Sequence, residues 1–408
     1  MQLGVLKIAK QTPLFFNSKK RIRLLLRCPV EGERQDGGFL RIKRLYLKNF
    51  RNYSEADINF AYNTSLIYGD NAQGKTNIIE ALFMTSTGKS HRTNNINELI
   101  KHGENHFRVL LEFEANGYSQ NIDIKYIKGK RKELFINGVK KERISEMLGV
   151  VPSVLFSPES ILYVKGAPGE RRRILDIVLC QIKKEYLINL QRYNRIIKNK
   201  NIVLKQIQTG RNEKEQLDIW DEELSMAGIK IVKERQLLIE ELENRMNNIM
   251  KGISDDKERI TIKYKTFKEL DKIQVDYKDL LETIKNNREK EIEIGSSIYG
   301  PHRDDMEILL NGKSARMYCS QGQQRSIALS LCIAIMGIME DKIGKKTLLL
   351  LDDVMSELDE KRQNFLLELI GNRQTVITTT EKTKYNALLQ NNISYIKVCD
   401  GKIIEVST

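Results

Sequence analysis

Long apolar runs are absent from this 408-residue sequence. The longest, around Ile327 to Ile338, stops short of the roughly 20 residues that span a bilayer, which argues against a membrane-embedded role. Cysteine is scarce: Cys28, Cys180, Cys319, Cys332 and Cys399 are odd in number, widely spaced and never form a CxxC pair. Neither a disulfide framework nor a zinc site is indicated, and the reducing cytoplasm is the expected compartment. Histidine is scarcer still. In the run from His102 to His106, Gly103 stands where a metalloprotease helix needs its glutamate, so the segment reads as a solvated loop and no metal site made of side chains alone is expected.

What is abundant is positive charge. Lys and Arg outnumber Asp and Glu by 68 to 54, a net +14 that points to a polyanionic partner, because clustered cations gain free energy by releasing counterions from nucleic acid. A merely lysine-rich composition is the plain alternative. Residues 1–40 carry +5 of that excess, and the remainder stays basic. With 40% hydrophobic residues the chain can bury a full core and divide into two or three domains.

Residues 1–39 show no helix or strand period and read as a tail. From Arg41 the alternation of RIKRLYL marks a half-buried strand, with further strands expected at Ser65–Tyr68, Arg108–Glu114 and Asn121–Ile127, and an Asn-Gly hairpin in Glu133–Val139. Thr76–Met84 reads as a helix opening directly after a glycine-rich turn. Between Gly169 and Asn248 apolar residues recur at helical spacing, as in Ile174, Ile177, Val178, Ile182, Tyr186 and Leu190, and a break near Thr209–Glu213 divides them into two or more helices. A strand at Thr261–Phe267 and one helix over Tyr277–Glu293 follow. Beyond Gly295 an α/β pattern returns, with an apolar helix Ile327–Met339 and strands at Thr347–Leu351 and Thr375–Thr379. The expected fold is therefore an α/β domain, residues 40–168 and 295–408, split by a mainly helical lobe at 169–294.

Three motifs carry chemistry. Gly69-Asp70-Asn71-Ala72-Gln73-Gly74-Lys75-Thr76 is a full GxxxxGK[ST] match between an apolar strand and a helix. Its amides and the helix N-terminus can cradle phosphates, Lys75 can neutralise the β- and γ-phosphates, and the Thr76 hydroxyl can hold Mg²⁺. Leu348–Leu351 deliver Asp352 and Asp353 to a strand end: Asp352 suits the Mg²⁺ shell, and Asp353 suits the orientation of attacking water, where one methylene less than glutamate suggests slow hydrolysis. Ser320, Gly322 and Gln323, in the run SQGQQ, lie 245 residues past Lys75 and about 30 before the Asp pair, and Ser356-Glu357-Leu358-Asp359 follows. Together they give the ABC-type order of Walker A, signature, Walker B and D-loop, which is far more specific than any one of them.

From about Leu40 to the end, the blocks FRNY (Phe50–Tyr53), GDNAQGKTNIIEAL (Gly69–Leu82), KSHRT (Lys89–Thr93), FSPE (Phe156–Glu159), GERRRILD (Gly169–Asp176), YGPHRDD (Tyr299–Asp305), SQGQQRS (Ser320–Ser326) and LLLDDVMSELD (Leu349–Asp359) resemble those of the RecF family of bacterial DNA repair proteins, of the ABC/SMC ATPase class. The resemblance implies an ATP-dependent homodimer on DNA, in which Ser320 and Gly322 of one subunit close over ATP held by Lys75 of the other. It further implies a weak, DNA-stimulated ATPase acting as a switch, a role in recombinational repair, replication restart and the SOS response, and RecR and RecO as partners. Family members begin near Leu40, which implies that residues 1–39 are a non-native or disordered extension and that Leu40 stands at a TTG start. Arg92, Arg171, Arg172 and Arg173 are candidate DNA contacts, with a structural role as the alternative. His302-Arg303-Asp304 mimics a kinase catalytic loop without its companions, and the resemblance places it in the dimer-facing ATPase core.

Two rivals have distinct signatures. Another SMC-like ATPase needs a long coiled coil between Lys75 and Asp352, but these stand 277 residues apart and much of that stretch is α/β sequence. The nucleotide subunit of an ABC transporter places its signature at roughly half the distance seen here. A third reading is a passive DNA-binding protein with an inert nucleotide site. Backbone neutralisation does not distinguish single-stranded, duplex or gapped DNA.

Overall fold

Three sheets organise the chain. The computed structural model describes residues 40–254, 257–267, 276–370, 373–382 and 393–407; the tail expected at 1–39 lies outside them. The first sheet is antiparallel and is built from β1 (Leu40–Phe50), β2 (Tyr53–Asn59), β4 (His106–Ala115), β5 (Tyr118–Ile127), β6 (Glu133–Ile136) and β7 (Val139–Lys141), in the order β2-β1-β4-β5-β6-β7. The alternating burial of β4 is that of a sheet with one face on the core and one in solvent.

The second sheet carries the nucleotide motifs. Its order is β15-β14-β3-β13-β12-β8, from β3 (Thr64–Tyr68), β8 (Ser153–Phe156), β12 (Leu348–Asp352), β13 (Thr375–Thr379), β14 (Ile393–Cys399) and β15 (Lys402–Ser407). All pairs are parallel except β14–β15. All five residues of β12 are buried, and they alternate between two cores. Leu348 and Leu350 pack with the first sheet and α1 (Lys75–Thr87), while Leu349 and Leu351 pack with the helices on the other side. Burial on both faces explains why β12 reads as a continuous apolar run.

The expected helical stretch forms α2 (Pro168–Ile182), α3 (Lys184–Gln208) and α4 (Leu217–Ser254). The break after Gln208 falls where the sequence placed it, and α4 runs further than expected. These helices share one continuous core with α7 (Gln321–Ile343), which begins at the signature. Tyr277–Glu293 is not one helix but two, α5 (Tyr277–Asn286) and α6 (Arg288–Ile294). The Asn287 side chain donates to the Thr283 carbonyl and accepts from the Tyr299 hydroxyl, local bonds that compete with the helix ladder. A small third sheet, β9 (Ile260–Lys265), β10 (Asp305–Leu310) and β11 (Lys313–Ser314), joins the last part of the insertion to the chain that follows it.

Four hairpins turn on Asn-Gly or Asp-Gly pairs with positive φ at both residues: Asn116-Gly117, Asn137-Gly138, Asn311-Gly312 and Asp400-Gly401. Their twist matches that of the strands they join. Among the described residues no helix is long and apolar enough to cross a membrane, no cluster of His, Cys, Asp and Glu could hold a metal by itself, and Cys180, Cys319, Cys332 and Cys399 are free.

Candidate nucleotide site

The loop from Gly69 to Gly74 leaves β3 and opens α1. Gly69 has φ 151° and Gly74 φ 119°, in the region that favours glycine. A Cβ on Gly69 would sit 2.2 Å from the Val398 carbonyl oxygen of β14. A Gly69→Ala chain is therefore expected to lose about 1–3 kcal/mol of stability and most of its nucleotide affinity, read by thermal unfolding and ATP titration. An unchanged ATP affinity would show that the loop tolerates displacement.

The loop is clamped from two sides. Asn52 Nδ2 donates to the Gln73 carbonyl at 2.9 Å and the Tyr53 hydroxyl donates to that of Gly74 at 3.1 Å. From the β14–β15 turn, the Asp400 amide donates to Gln73 Oε1 and the Gly401 amide to the Gln73 carbonyl. These bonds use the Gln73 and Gly74 carbonyls and the Gln73 side chain, while Asp70, Asn71 and Ala72 stay exposed at the tip.

Lys75, at the first turn of α1, donates to the Gly69 and Asp70 carbonyls at 2.6 and 2.7 Å. Burial lowers its pKa, opposed by Asp353, Asp352 and Asp70. Thr76 donates to Asp352 Oδ1 at 3.0 Å, and Thr378 on β13 donates to the same oxygen at 2.7 Å. Asp353 turns away at φ 51°, its amide donating to the Thr378 hydroxyl at 2.9 Å. Thr378 thus ties the strand between the P-loop strand and the Asp strand to the Asp352 carboxylate and the Asp353 amide. Burial lifts the Asp352 carboxyl above its usual range, against the two hydroxyls that lower it. Asp352 Oδ2 accepts no hydrogen bond among the described residues. A buried carboxylate beside a hydroxyl is a hard oxygen donor set that fits Mg²⁺ once phosphate oxygens complete the shell.

The signature stands apart from this cluster. Ser320 caps α7: its Oγ accepts from the Gln323 amide and Gln323 Oε1 accepts from the Ser320 amide. That polar first turn is why the sequence reading began the helix six residues late. Ser320 is exposed, and Gln323 Nε2 reaches Glu258 at 2.8 Å. None of Ser320, Gly322 or Gln323 bonds to the P-loop or the Asp pair among the described residues.

Comparison with known proteins then decides the family. The RecF/RecN/SMC N-terminal domain matches residues 41–403. The DNA replication and repair protein RecF of Acetivibrio thermocellus is 40% identical over 364 residues, which cover 88% of this chain and 99% of that protein. The chain belongs to the RecF family. A solved structure described as the recombination mediator protein RecF with ATP, in the RecFOR pathway, is 33% identical, with a TM-score of 0.86 over 93% of this chain and 100% of that one. An Smc head domain from Pyrococcus furiosus, bound to a ScpA domain, aligns at a TM-score of 0.52 with 17% identity over 90% of this chain and 96% of that one, and shows the shared ABC-type ATPase head fold. Membership in the RecF family replaces both the transporter-subunit and the other SMC-like readings.

In this RecF-family chain the arginine candidates separate. Arg171 is buried, forks onto both Asp305 carboxylate oxygens at 2.7 and 2.9 Å and donates to the Gly166 carbonyl. It is a packing residue, and the expectation of a DNA contact there is corrected. Arg172 and Arg173 also turn inward, to the carbonyls of Asp304 and of Ser90 and His91. Arg92 remains exposed and touches Asn77. Of the His302-Arg303-Asp304 run, Asp304 is buried and His302 half-buried, while Arg303 is exposed. His302 bonds Tyr193 and the Ser297 carbonyl, and burial pushes it down to about 4; Asp304 accepts from Tyr264. None of these partners belongs to the nucleotide site, and the run lies at the seam between the helices and the third sheet.

Sequence reasoning missed the residues that brace the site: Thr378, Asn52, the Asp400-Gly401 turn, and a buried pair in which Arg51 forks onto Glu80 of α1 at 2.6 and 2.8 Å while Ser90 donates to the same carboxylate. The only signal for the last was that Arg51 and Ser90 lie in FRNY and KSHRT, two of the blocks that resemble the RecF family.

Proposed function

We propose that the chain binds Mg²⁺-ATP at the P-loop and uses it to close a homodimer on DNA, slow hydrolysis then opening it, in recombinational repair, replication restart and SOS induction, with RecR and RecO as partners. The observation that carries this reading is the exposed signature. A capped helix N-terminus that meets no phosphate site in its own chain is useful opposite a second copy's nucleotide. Lys75 neutralises the β- and γ-phosphates. Thr76 and Asp352 hold Mg²⁺, which supplies charge neutralisation to the phosphates. Asp353 orients the attacking water, and Ser320 and Gly322 of the second copy cover the γ-phosphate. ATP that binds the closed state better shifts the population toward it. The ATP-bound relative supports the ligand, and the RecFOR pathway in its description supports the partners. The division into ATPase halves at 40–168 and 295–408 around a lobe at 169–294, with 1–39 as an extension, belongs to the same proposal.

Sedimentation of residues 40–408 with DNA tests it, with ATP, with ADP, and with Lys75→Met and Ser320→Arg. ATP is expected to drive a DNA-bound dimer that both variants lose. A monomer that binds DNA equally without nucleotide would leave only a passive DNA-binding role.

A further inference from the structure

The far edge of the first sheet carries charge that nothing in the nucleotide site uses. From Lys125 to Arg143 the sequence holds eight basic residues and two acidic ones. The β5–β6 turn places Lys128, Lys130 and Arg131 in solvent, and the register sets Lys141 opposite Leu134, beside the end of that turn. Lys140 follows on the edge strand, and Lys89 lies against the same corner, close enough to act on Lys132. Among the described residues, Lys128, Lys130, Arg131 and Lys141 have no acidic partner within ion-pair distance, whereas Lys140 pairs with Glu133 and Lys125 with Asp123. A cluster of unpaired like charges on a three-stranded sheet edge is held together at a cost that a polyanion removes.

Lys132 fixes where this ribbon sits. Its ammonium donates to the carbonyl of Gly88, the residue that caps α1, so the ribbon rests on the far end of the helix whose first turn faces the phosphates. Burial and Lys89 push Lys132 down to about 8, a cation short of counter-charge. The aromatic rings select among nucleic acids. Single strands are held by bases stacked on open rings. Beside these cations Tyr126 is buried and Phe135 is covered by Lys125 at 4.7 Å and Lys140 at 5.9 Å, while the exposed ring of Tyr118 stands at the opposite end of β5 from the β5–β6 turn, so the charged end of the ribbon offers cations and no free stacking face.

We infer that the β5–β7 ribbon is a contact surface for the phosphate backbone of duplex DNA, with Lys128, Lys130, Arg131 and Lys141 meeting the phosphates. This rests on the reading of the chain as a DNA-binding protein. The surface reads no sequence, and it places the DNA on the same lobe as the P-loop helix.

Fluorescence anisotropy of the full chain on a labelled 30-base-pair duplex, across a salt series with ATP, tests the assignment. The variant Lys128→Gln/Lys130→Gln/Arg131→Gln/Lys141→Gln is compared with a control, Lys184→Gln/Arg195→Gln/Lys198→Gln/Lys230→Gln, that removes equal charge from exposed positions of α3 and α4. The ribbon variant is expected to bind at least about tenfold more weakly, with the slope of log affinity against log salt smaller by about 3–4, and to keep the parent's melting temperature and ATP affinity. Equal binding by the ribbon variant, an equal loss in the control, or a preference for single strands that the ribbon variant retains would overturn the assignment. A parent chain that binds no DNA would instead overturn the reading beneath it.

Discussion

A Lys75→Met chain is expected to bind ATP about a hundredfold more weakly than the parent, read by isothermal titration in the presence of Mg²⁺. The Lys75 ammonium is already aimed across the mouth of the loop, donating to the Gly69 and Asp70 carbonyls, so arriving phosphates exchange neutral acceptors for anionic ones. A charge-assisted bond of that kind contributes about 1.5–3 kcal/mol, and about 1.4 kcal/mol is a factor of ten in affinity. Removing the cation also leaves Asp70, Asp352 and Asp353, the three carboxylates that favour its charge, to repel the incoming phosphates. Lys75→Arg is expected to recover little, because the planar fork does not fit a pocket shaped around a compact ammonium. An affinity within about threefold of the parent would remove Lys75 from the nucleotide site.

The largest stability loss is expected far from that site, at Lys200→Met. Lys200 is fully buried, 2.8 Å from Asp221 Oδ1 and 2.6 Å from Glu291 Oε2, and both carboxylates are buried with it. The cation joins α3, α4 and α6, and neither acid can reach water when it is gone. Breaking a buried ion pair by removing one member costs about 3–5 kcal/mol, which urea unfolding reads as a lower midpoint at unchanged slope. Arg288 also holds Asp221, at 2.7 Å, and Ser297 and Ile298 donate to Glu291 Oε1, so the carboxylates keep partial support. Adding Glu291→Gln to Lys200→Met is therefore expected to restore part of the loss. A loss under about 1 kcal/mol in the single variant would show that solvent enters the seam.

What the sequence made legible follows from how each feature is encoded. The P-loop, the Asp pair and the signature are short, contiguous and in fixed order, and the structure brings the first two together within hydrogen-bond reach of one another. Strand β12 was legible because burial on both faces leaves only leucines. Thr378 was not, since a threonine near the end of a buried strand looks the same whether it packs or bridges two aspartates. The inward turn of Arg171 was hidden for the opposite reason: in a basic run, the sequence alone cannot show which guanidinium meets Asp305. Of the four tight hairpins only Asn137-Gly138 was read; Asn116-Gly117 lies between the expected strands Arg108–Glu114 and Asn121–Ile127 and carried the same signal, whereas Asn311-Gly312 and Asp400-Gly401 follow stretches in which no strand was expected.

The strand order of the second sheet has a consequence in time. Strand β8 ends at Phe156 and its neighbour β12 begins at Leu348, and β3 likewise waits for β13 at Thr375. At about 5–20 residues per second, roughly 10–40 s of synthesis separate β8 from its partner. Throughout that interval the emerging chain presents Val154, Leu155 and Phe156, and the strand before the P-loop, without the ladder that will bury them. The order in which the ribosome delivers these segments makes the nucleotide sheet one of the last parts to close, and its edges stay unpaired until then.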